Sequence, residues 1–322
     1  MEFLNEIGGG AHDVKHPIGH ERQYETDAYR NSLENLTYYG NHPSHGVNAF
    51  AGSVTLLSDD IRLKEYAEPE EGDIVLHGKT AFLAAPAGDL NYFHWMIDVL
   101  ARAGRLDALE SYEHIVINTL NYPFQFATFP LIGFKGKVHT ANYDVSFFSE
   151  EMHVPSLRRV GHRIPADWMV NFLREQILPY RAPHSPLGDK IFITRLKRGV
   201  RTLTNMAEVS TLLRREGFQE VVLEDYNFLE QVSIIHSATM IIAPHGAGLT
   251  NTAFCRRGAK ILELFSPHYI SSLFYFISAF AGADYYFLVG EEEEFDPNRN
   301  ANSQDIRISV AVIEAMIKKI LS

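Results

Sequence analysis

The chain has 322 residues, of which 46% are hydrophobic and 21% charged, which is the composition of a folded globular protein. This length exceeds what one hydrophobic core usually organises, so we expect two domains with a ligand-binding cleft between them. The formal net charge of -11 opposes binding to a polyanion, and no Lys/Arg stripe alternates with aromatic residues, so nucleic acid is excluded as an expected partner.

The cysteine content and the N-terminal sequence bear on the cellular compartment. Cys255 is the single cysteine and cannot form an internal disulfide, while the start MEFLNEIGGG lacks the basic and then apolar pattern of a secretion signal. We therefore expect a reducing, cytoplasmic setting. The apolar stretch 271–283 is too short to cross a bilayer and predicts a buried helix.

The first seventy residues are rich in polar residues and glycine and show little periodicity, so no elements are predicted there. Five histidines fall in this segment, at His12, His16, His20, His42 and His45. No HExxH spacing, cysteine cluster or compact acidic triad accompanies them, so we interpret them as loop histidines and predict no metal site.

Residues 1–180 are predicted to form an N-terminal α/β domain. The predicted elements are strands at 73–78 and 80–85, a helix at 91–109, a strand at 114–120, a helix at 124–132, a strand at 137–141 and a helix at 165–178. The segment 179–188 contains three prolines and a glycine, which is typical of an interdomain linker.

Residues 181–303 are predicted to form a second domain with a parallel sheet covered by helices. The predicted strands are 189–194, 220–224, 239–243, 260–265 and 285–289. Asn205 with Glu208, and Asn227 with Glu230, match the capping-box pattern of a helix start, and Gly217 is a predicted helix stop. The tail 304–322 predicts a helix that packs back on the N-terminal domain.

The sequence TMIIAPHGAGLTNTAF predicts a strand, a tight turn and a short helix opened by Thr250 and Asn251. Gly246 and Gly248 let backbone N–H groups approach a ligand closely, and the helix start carries partial positive charge suited to a diphosphate. A tight turn in which His245 caps the backbone is an equally good interpretation of the spacing alone.

Basic residues follow the first strand of the second domain. Arg195 stands at the strand end, where ligands of parallel sheets collect, and Lys197, Arg198 and Arg201 lie in the loop that follows. Guanidinium groups bind phosphate oxygens and can neutralise a leaving diphosphate without a metal. We interpret Lys197 and Arg198 as residues of a solvated loop.

The sequence NYFHWMIDVLARAGRL places His94 and Asp98 four residues apart on one helix face. A histidine oriented by a carboxylate suits deprotonation of an acceptor hydroxyl. A structural hydrogen bond is the alternative, and the residues alone favour it.

Glu263 is an isolated acid near the end of an apolar strand. Burying such a carboxylate without a partner is costly, so it should meet a charged or hydrogen-bonding group. A ribose diol and an arginine such as Arg195 are the two alternatives.

Four motifs resemble, in order and spacing, glycosyltransferase family 61, particularly its short bacterial members. They are NYFHWMID, the arginine loop from Thr194 to Asn205, HSATMIIAPHGAGLTNTAF and KILELF, and they extend over residues 79–266. The resemblance implies a GT-B-like fold of two facing Rossmann-like domains with a cleft. It also implies an inverting transfer from a nucleotide sugar in capsule or exopolysaccharide biosynthesis.

The resemblance also implies roles for individual residues. The acceptor-side catalytic pair would be His94 and Asp98. The donor side would comprise the turn residues His245, Gly246, Ala247, Gly248 and Asn251, the diphosphate contacts Arg195 and Arg201, and the nucleotide ligand Glu263.

The expected substrates are a nucleotide sugar, with UDP as the first choice, and a saccharide acceptor, with no cofactor and no essential divalent metal. Peripheral association with a membrane-bound, lipid-linked acceptor is an alternative to a freely cytoplasmic enzyme. Two other functions remain open, which are pyruvyl transfer to a polysaccharide and non-catalytic saccharide or nucleotide binding within a polysaccharide assembly complex.

Overall fold

The chain divides into two compact units in a computed structural model. The C-terminal unit comprises Tyr180–Ser322 with Met1–His16, and the N-terminal unit is Pro17–Pro179. The structure describes residues 71–85, 87–118, 120–141, 146–155, 165–185, 187–195, 199–291 and 294–322, and the backbone of four short strands before residue 66. The predictions for His16, His20, His42, His45, Lys197 and Arg198 lie outside the described residues, as does that for the His12 side chain.

The strands, in chain order, are β1 (Ala11–Asp13), β2 (Asn48–Ala51), β3 (Val54–Leu57), β4 (Lys64–Glu65), β5 (Ile74–Phe82), β6 (His114–Asn118), β7 (Lys137–Ala141), β8 (Ser146–Pro155), β9 (Lys190–Ile193), β10 (Gln219–Val221), β11 (Met240–Pro244), β12 (Lys260–Phe265) and β13 (Asp284–Val289). The helices are α1 (residues 92–105), α2 (Pro123–Thr128), α3 (Asp167–Ile177), α4 (Met206–Arg215), α5 (Phe228–Ser237), α6 (Leu273–Phe280) and α7 (Val310–Leu321). Short 3₁₀ segments lie at Leu109–Ser111, Phe129–Ile132, Leu178–Tyr180, Leu223–Asp225, Ala247–Phe254 and Ala301–Ser303. The predicted α/β class is confirmed.

The N-terminal unit is built on a parallel sheet in the order β4-β2-β8-β5-β6-β7, with β3 also paired to β8. The two strands predicted at 73–78 and 80–85 are wrong as separate elements, because β5 runs through both with a register shift between Leu76 and Lys79. Gly78 takes up that shift with a φ of +97°, a backbone conformation that favours glycine.

The central strand β8 escaped prediction because its sequence contains polar residues within a buried region. Ser149 is fully buried in β8, and its hydroxyl donates to Thr80 Oγ1 on the neighbouring β5 at 2.8 Å. Such a cross-strand pair satisfies a buried hydroxyl, but neither residue announces its partner in the sequence.

The C-terminal unit has the sheet order β1-β13-β12-β11-β9-β10, in which β9 to β13 are parallel and β1 is antiparallel to β13. All five strands predicted for this domain are present. From β9 the chain passes outward to β10 and then returns to the opposite side of β9 to form β11. In such sheets a ligand crevice opens at the carboxyl ends of the two strands where the order reverses, here β9 and β11.

The chain termini differ from the prediction in their domain assignment. The tail helix α7 belongs to the C-terminal unit, because its apolar face, with Ile313, Met316 and Ile320, is buried in the core that lines the C-terminal sheet. Likewise Ala11–Asp13, assigned by sequence to the first domain, pairs with β13. Both segments reach this sheet through contacts that are distant in sequence.

The two predicted capping boxes have different outcomes. The box at Asn227 and Glu230 is confirmed, with Asn227 Oδ1 accepting from Glu230 N at 3.0 Å and the Glu230 carboxylate accepting from Asn227 N at 2.9 Å. The box at Asn205 is wrong, because the Asn205 amide instead donates to Ile308 O at 2.9 Å. The hydrogen bond with the distant Ile308 replaces the local bond that would cap the helix.

The apolar stretch 271–283 forms the helix α6, whose residues Phe274, Tyr275 and Ile277 are buried, as predicted. Throughout the part of the chain that the structure describes, no helix is both long and apolar enough to cross a membrane.

Asp305 links the segment before α7 to the loop after Arg201. Its Oδ1 accepts from both the backbone N and the hydroxyl of Thr202 at 2.9 Å, and its Oδ2 lies 2.7 Å from Arg299 Nη1. Burial alone would raise the pKa of Asp305, but the hydrogen bonds from Arg299 and Thr202 outweigh it and lower that pKa below its usual range.

We expect Asp305→Asn to reduce the free energy of unfolding at neutral pH by about 1–2 kcal/mol, because hydrogen bonds to a charged acceptor are lost. A lowered folded-state pKa stabilises the fold above the unfolded-state pKa of about 3.9 and loses that contribution as the pH falls below it. The difference between wild type and variant should therefore shrink in acid, as measured by denaturant unfolding from pH 7 to pH 3.

The matched control is Glu291→Gln, which removes an exposed ion pair with Arg307 and should change stability by no more than about 0.5 kcal/mol. Equal losses for the two variants, or a difference from wild type that persists in acid, would contradict the role of Asp305.

Candidate active site

Arg195 and Gly246 meet at the carboxyl ends of β9 and β11, where the strand order reverses. Arg195 follows β9 by two residues, and its Nε donates to Val200 O at 3.2 Å. A Cβ placed on Gly246 would lie only 1.6 Å from Arg195 Nη1, so the guanidinium lies directly against the backbone of the turn after β11. A side chain at Gly246 would have to displace this guanidinium; the backbone itself does not need glycine, because its φ is an extended 170° that any residue adopts.

The helix after this turn begins earlier than predicted. It is a 3₁₀ helix from Ala247 to Phe254, so the predicted start at Thr250 and Asn251 is wrong. The first N–H groups of a helix lack intrahelical acceptors and carry partial positive charge. Ala247 and Gly248 are half-buried at this start, whereas Asn251 is buried and its amide donates to Gln231 Oε1 on α5 at 3.1 Å. Ala247 and Gly248 therefore remain placed to meet a ligand, and Asn251 joins the helix to α5.

His245 is held by a buried carboxylate. Its Nδ1 lies 2.5 Å from Glu263 Oε1, and Tyr285 donates to the other oxygen of Glu263. Burial, together with the Glu263 carboxylate, raises the pKa of Tyr285 well above its usual range, so the phenol keeps the proton that it donates. Because Glu263 is fully buried and both oxygens have protein partners, the geometry favours a role in positioning His245 over the predicted contacts with a ribose or Arg195.

Aromatic rings enclose the imidazole of His245. The Phe265 ring stacks on it with centroids 5.1 Å apart, and the Tyr269 and Phe274 rings lie 5.3 Å and 5.1 Å from it. Only 4% of His245 is exposed. The interpretation that His245 caps the backbone is not what the structure shows, since its Nδ1 bonds to the Glu263 carboxylate.

Arg201 combines backbone strain with an unsatisfied donor. Its φ is +54°, a left-handed conformation that costs a non-glycine residue on the order of 1–3 kcal/mol. Among the described residues its buried Nε has no hydrogen-bond partner. Burial lowers the pKa of Arg201, while the nearby Tyr269 and Glu263 act in the opposite direction. An anionic ligand would satisfy this donor and offset the cost of holding the guanidinium here.

His94 and Asp98 form the predicted pair in the N-terminal unit. The His94 Nδ1 lies 2.6 Å from Asp98 Oδ2, with 29% of the His94 side chain exposed and only 1% of the Asp98 side chain. Asn91 begins the helix by accepting from Phe93 N, and Asp98 lies in a π-helical turn, Trp95–Val99. Turns of this type are frequent at functional sites. A carboxylate that accepts the Nδ1 proton leaves the lone pair on Nε2.

Arg102 anchors this helix to the carboxyl ends of two strands. The fully buried guanidinium donates to Leu83 O after β5 at 2.7 Å, to Pro155 O at the end of β8 at 2.9 Å and to Asp98 O at 3.2 Å. The guanidinium thus joins carbonyls at the ends of β5 and β8 to a carbonyl of the π-helical turn and fixes that turn relative to the sheet.

The predicted site residues form two groups, each within one unit. Arg195, Arg201, His245 and Gly246 gather at one edge of the C-terminal sheet, and His94 with Asp98 lies at the carboxyl ends of β5 and β8. Within the described ranges, no three His, Cys, Asp or Glu side chains lie close enough together to hold a metal ion. Sequence reasoning missed Tyr285 and Arg102, because a tyrosine within a strand and an arginine within a helix carry no signal of their partners.

The family model of glycosyltransferase 61 matches residues 92–262, more than half of the chain. The chain belongs to glycosyltransferase family 61. As a member of that family it is a glycosyltransferase, and the match extends from the start of α1 into β12. The predicted family is thereby confirmed, while a bacterial capsule-type specificity stays a prediction.

Three relatives indicate what the chain is similar to. The human protein O-linked-mannose beta-1,4-N-acetylglucosaminyltransferase 2 is 35% identical over 83 residues, which cover 25% of this chain and 14% of the relative. The Bos taurus protein of that name is 33% identical over 98 residues, covering 30% and 17%. The EGF domain-specific O-linked N-acetylglucosamine transferase of Xenopus laevis is 34% identical over 90 residues, covering 26% and 17%. The chain spans less than a fifth of the length of these relatives.

We expect Gly246→Ala to displace Arg195 and weaken binding of UDP by about 10- to 100-fold, the effect of losing a charge-assisted contact. The fold should survive because the end of a flexible side chain can move. Isothermal titration calorimetry with UDP and a thermal melt would check both expectations.

Gly248→Ala is the matched control, because its Cβ would meet only Leu223 Cδ1, at 3.3 Å. It should reduce UDP affinity much less than Gly246→Ala. Equal losses from the two substitutions would mean that the Arg195 contact with the turn does not govern nucleotide binding.

Proposed function

We propose that this protein transfers a sugar, with inversion at the anomeric carbon, from a UDP-sugar to a hydroxyl of a saccharide acceptor. The observation that carries the proposal is the convergence of Arg195, the strained Arg201 and a helix start at the strand-order reversal of the C-terminal sheet. Parallel sheets bind nucleotides at such a position.

The donor diphosphate would be held by charge and by backbone donors. Arg201 has a buried N–H with no partner among the described residues, and the N–H groups of Ala247 and Gly248 begin a helix. As the bond from the anomeric carbon to the diphosphate oxygen breaks, negative charge grows on the leaving group. Preorganised guanidinium and N–H donors stabilise that charge, so the mechanism requires no divalent metal.

The acceptor would be activated by His94. Asp98 accepts a hydrogen bond from the Nδ1–H of His94, so Nε2 is the nitrogen that can take a proton. Nε2 would remove the proton of the acceptor hydroxyl while the hydroxyl oxygen bonds to the anomeric carbon. The buried Asp98 orients the imidazole and stabilises its positive charge. This division of roles corresponds to GT-B enzymes, with two Rossmann-like domains, and we propose that architecture for the chain.

The relatives suggest which sugar to test first. Two differently named relatives are both described as N-acetylglucosamine transferases, so UDP-N-acetylglucosamine is our first candidate donor. Their names place one reaction on O-linked mannose and the other on an EGF domain. A saccharide in capsule or exopolysaccharide biosynthesis, at the cytoplasmic face of a membrane, remains our proposed setting for the acceptor.

Calorimetric titration with UDP should give the same affinity with and without EDTA, because the donor site uses arginines and backbone N–H groups. A screen of UDP, GDP, CMP and dTDP tests the choice of base. Strict dependence of binding on manganese or magnesium would overturn the metal-free mechanism. Turnover of phosphoenolpyruvate with no turnover of nucleotide sugars would instead support pyruvyl transfer.

His94→Ala should lower the transfer rate by roughly 100- to 10,000-fold, the usual effect of losing a general base. Asp98→Asn should lower it less, since it removes only orientation and charge. Both variants should bind UDP as wild type does, because the pair lies outside the nucleotide site. Transfer kinetics alongside UDP titration of folded protein would measure this.

The control for these variants is His184→Ala, which removes an exposed imidazole of the interdomain segment and should leave transfer unchanged. Full activity of His94→Ala, or loss of UDP binding in both site variants, would mean that His94 and Asp98 form a structural hydrogen bond and do not activate the acceptor.

A further inference from the structure

We propose that an aromatic platform next to His94 binds a pyranose ring of the saccharide acceptor. The aromatic platform consists of Tyr92, Tyr122, Phe124 and Phe126. This inference rests on the proposed function and adds to it the surface that selects the acceptor.

The rings of the platform are ordered against one another. Tyr122 and Phe124 stack with centroids 5.4 Å apart and planes 4° from parallel, and the Tyr92 ring meets Phe124 edge-on at 5.2 Å. Phe126 lies on α2, two residues after Phe124, and Tyr122 is the residue before the first residue of α2. Tyr122 is 38% exposed and Phe126 is 58% exposed, so these two rings are the part of the platform that is open to solvent.

The platform lies at the end of the sheet that also carries the proposed base. Tyr92 is the first residue of α1 and stands two residues before His94, and α1 follows β5. Phe124 and Phe126 lie on α2 and Tyr122 directly precedes it; α2 follows β6, and β5 and β6 are parallel neighbours. Both loops therefore leave the same edge of the sheet, so the platform and His94 lie at the same end of the sheet.

Buried polar side chains hold these two loops rigidly together. Gln125 is fully buried; its Oε1 accepts from Asn121 N at 2.7 Å and from Tyr122 N at 2.9 Å, while its Nε2 donates to Gly88 O at 3.1 Å. Asn118 exchanges two hydrogen bonds of 2.9 Å with the backbone of Ala85. The backbone that carries the rings is thus fixed before any ligand arrives, which reduces the entropy lost on binding.

The chemistry of the surface fits a sugar ring. The C–H face of a pyranose is apolar and flat and can lie on an aromatic face, while its hydroxyls stay in water. Exposed, rigidly held aromatic residues are typical of ligand surfaces that need apolar area with little ordering cost. A saccharide seated here would have hydroxyl groups near the one partly exposed imidazole of α1, His94.

Saturation-transfer NMR on the full chain tests the platform, with methyl α-mannoside, methyl β-N-acetylglucosaminide and octyl β-glucoside as probes. Wild type should transfer saturation to the ring C–H protons of at least one glycoside. Tyr122→Ala and Phe126→Ala should each reduce that signal, and the double variant should weaken the glycoside affinity by about tenfold. Neither substitution removes the Gln125 contacts, which are made to backbone atoms.

The matched control is Val138→Ala, which removes an exposed apolar side chain on β7 of the same unit and should leave the signal unchanged. UDP titration is run on every variant. Absence of UDP binding to wild type would overturn the proposed function. If UDP binds but no glycoside ring proton receives saturation, the platform alone is overturned. Equal ring signals in wild type and the double variant would overturn the platform as well. Saturation confined to the octyl chain would also overturn it and assign the surface to a lipid.

Discussion

The buried carboxylate of Glu263 is the constraint on which the carboxyl edge of the C-terminal sheet, with Arg195 and Gly246, depends. A carboxylate that is fully removed from water must be paired, and here His245 and Tyr285 supply the partners. The pairing fixes the imidazole, and the imidazole fixes the backbone between β11 and the 3₁₀ helix. The position of Gly246 follows, and with it the space that the Arg195 guanidinium occupies. One buried acid thus sets the geometry of a surface that it does not itself reach.

The N-terminal unit orders its functional edge with side chains that bond to peptide groups. Arg102, Asn118 and Gln125 are buried, and each ties a loop or a helix turn to backbone atoms at the ends of the parallel strands. Such bonds are directional and leave few alternative arrangements. They hold His94 and the aromatic platform in place while those groups remain partly exposed, which is what a site for a polar, weakly bound saccharide requires.

Much of the C-terminal unit follows from local sequence. Its five parallel strands are short apolar runs separated by amphipathic helices, and each run is recognisable by itself. The helix start at Asn227 is local as well, since cap and partner lie three residues apart. Prediction failed where the partner is distant in sequence. The Asn205 amide bonds to Ile308 O instead of capping its helix. The apolar face of α7 could cover either sheet as far as its sequence shows, and only the fold places it on the C-terminal sheet.

The sequence by itself singled out the candidate site residues, because the spacing of His94 and Asp98 along a helix and the glycines after β11 are local patterns. Only the tertiary structure decided what those residues do to one another. In the folded chain Glu263 bonds to His245 and Tyr285, and the Arg195 guanidinium lies against Gly246. Arg201 has a strained backbone, and its Nε has no hydrogen-bond partner among the described residues. The physical reason is that burial and hydrogen bonding depend on neighbours brought together by the order of the strands, which no local pattern encodes.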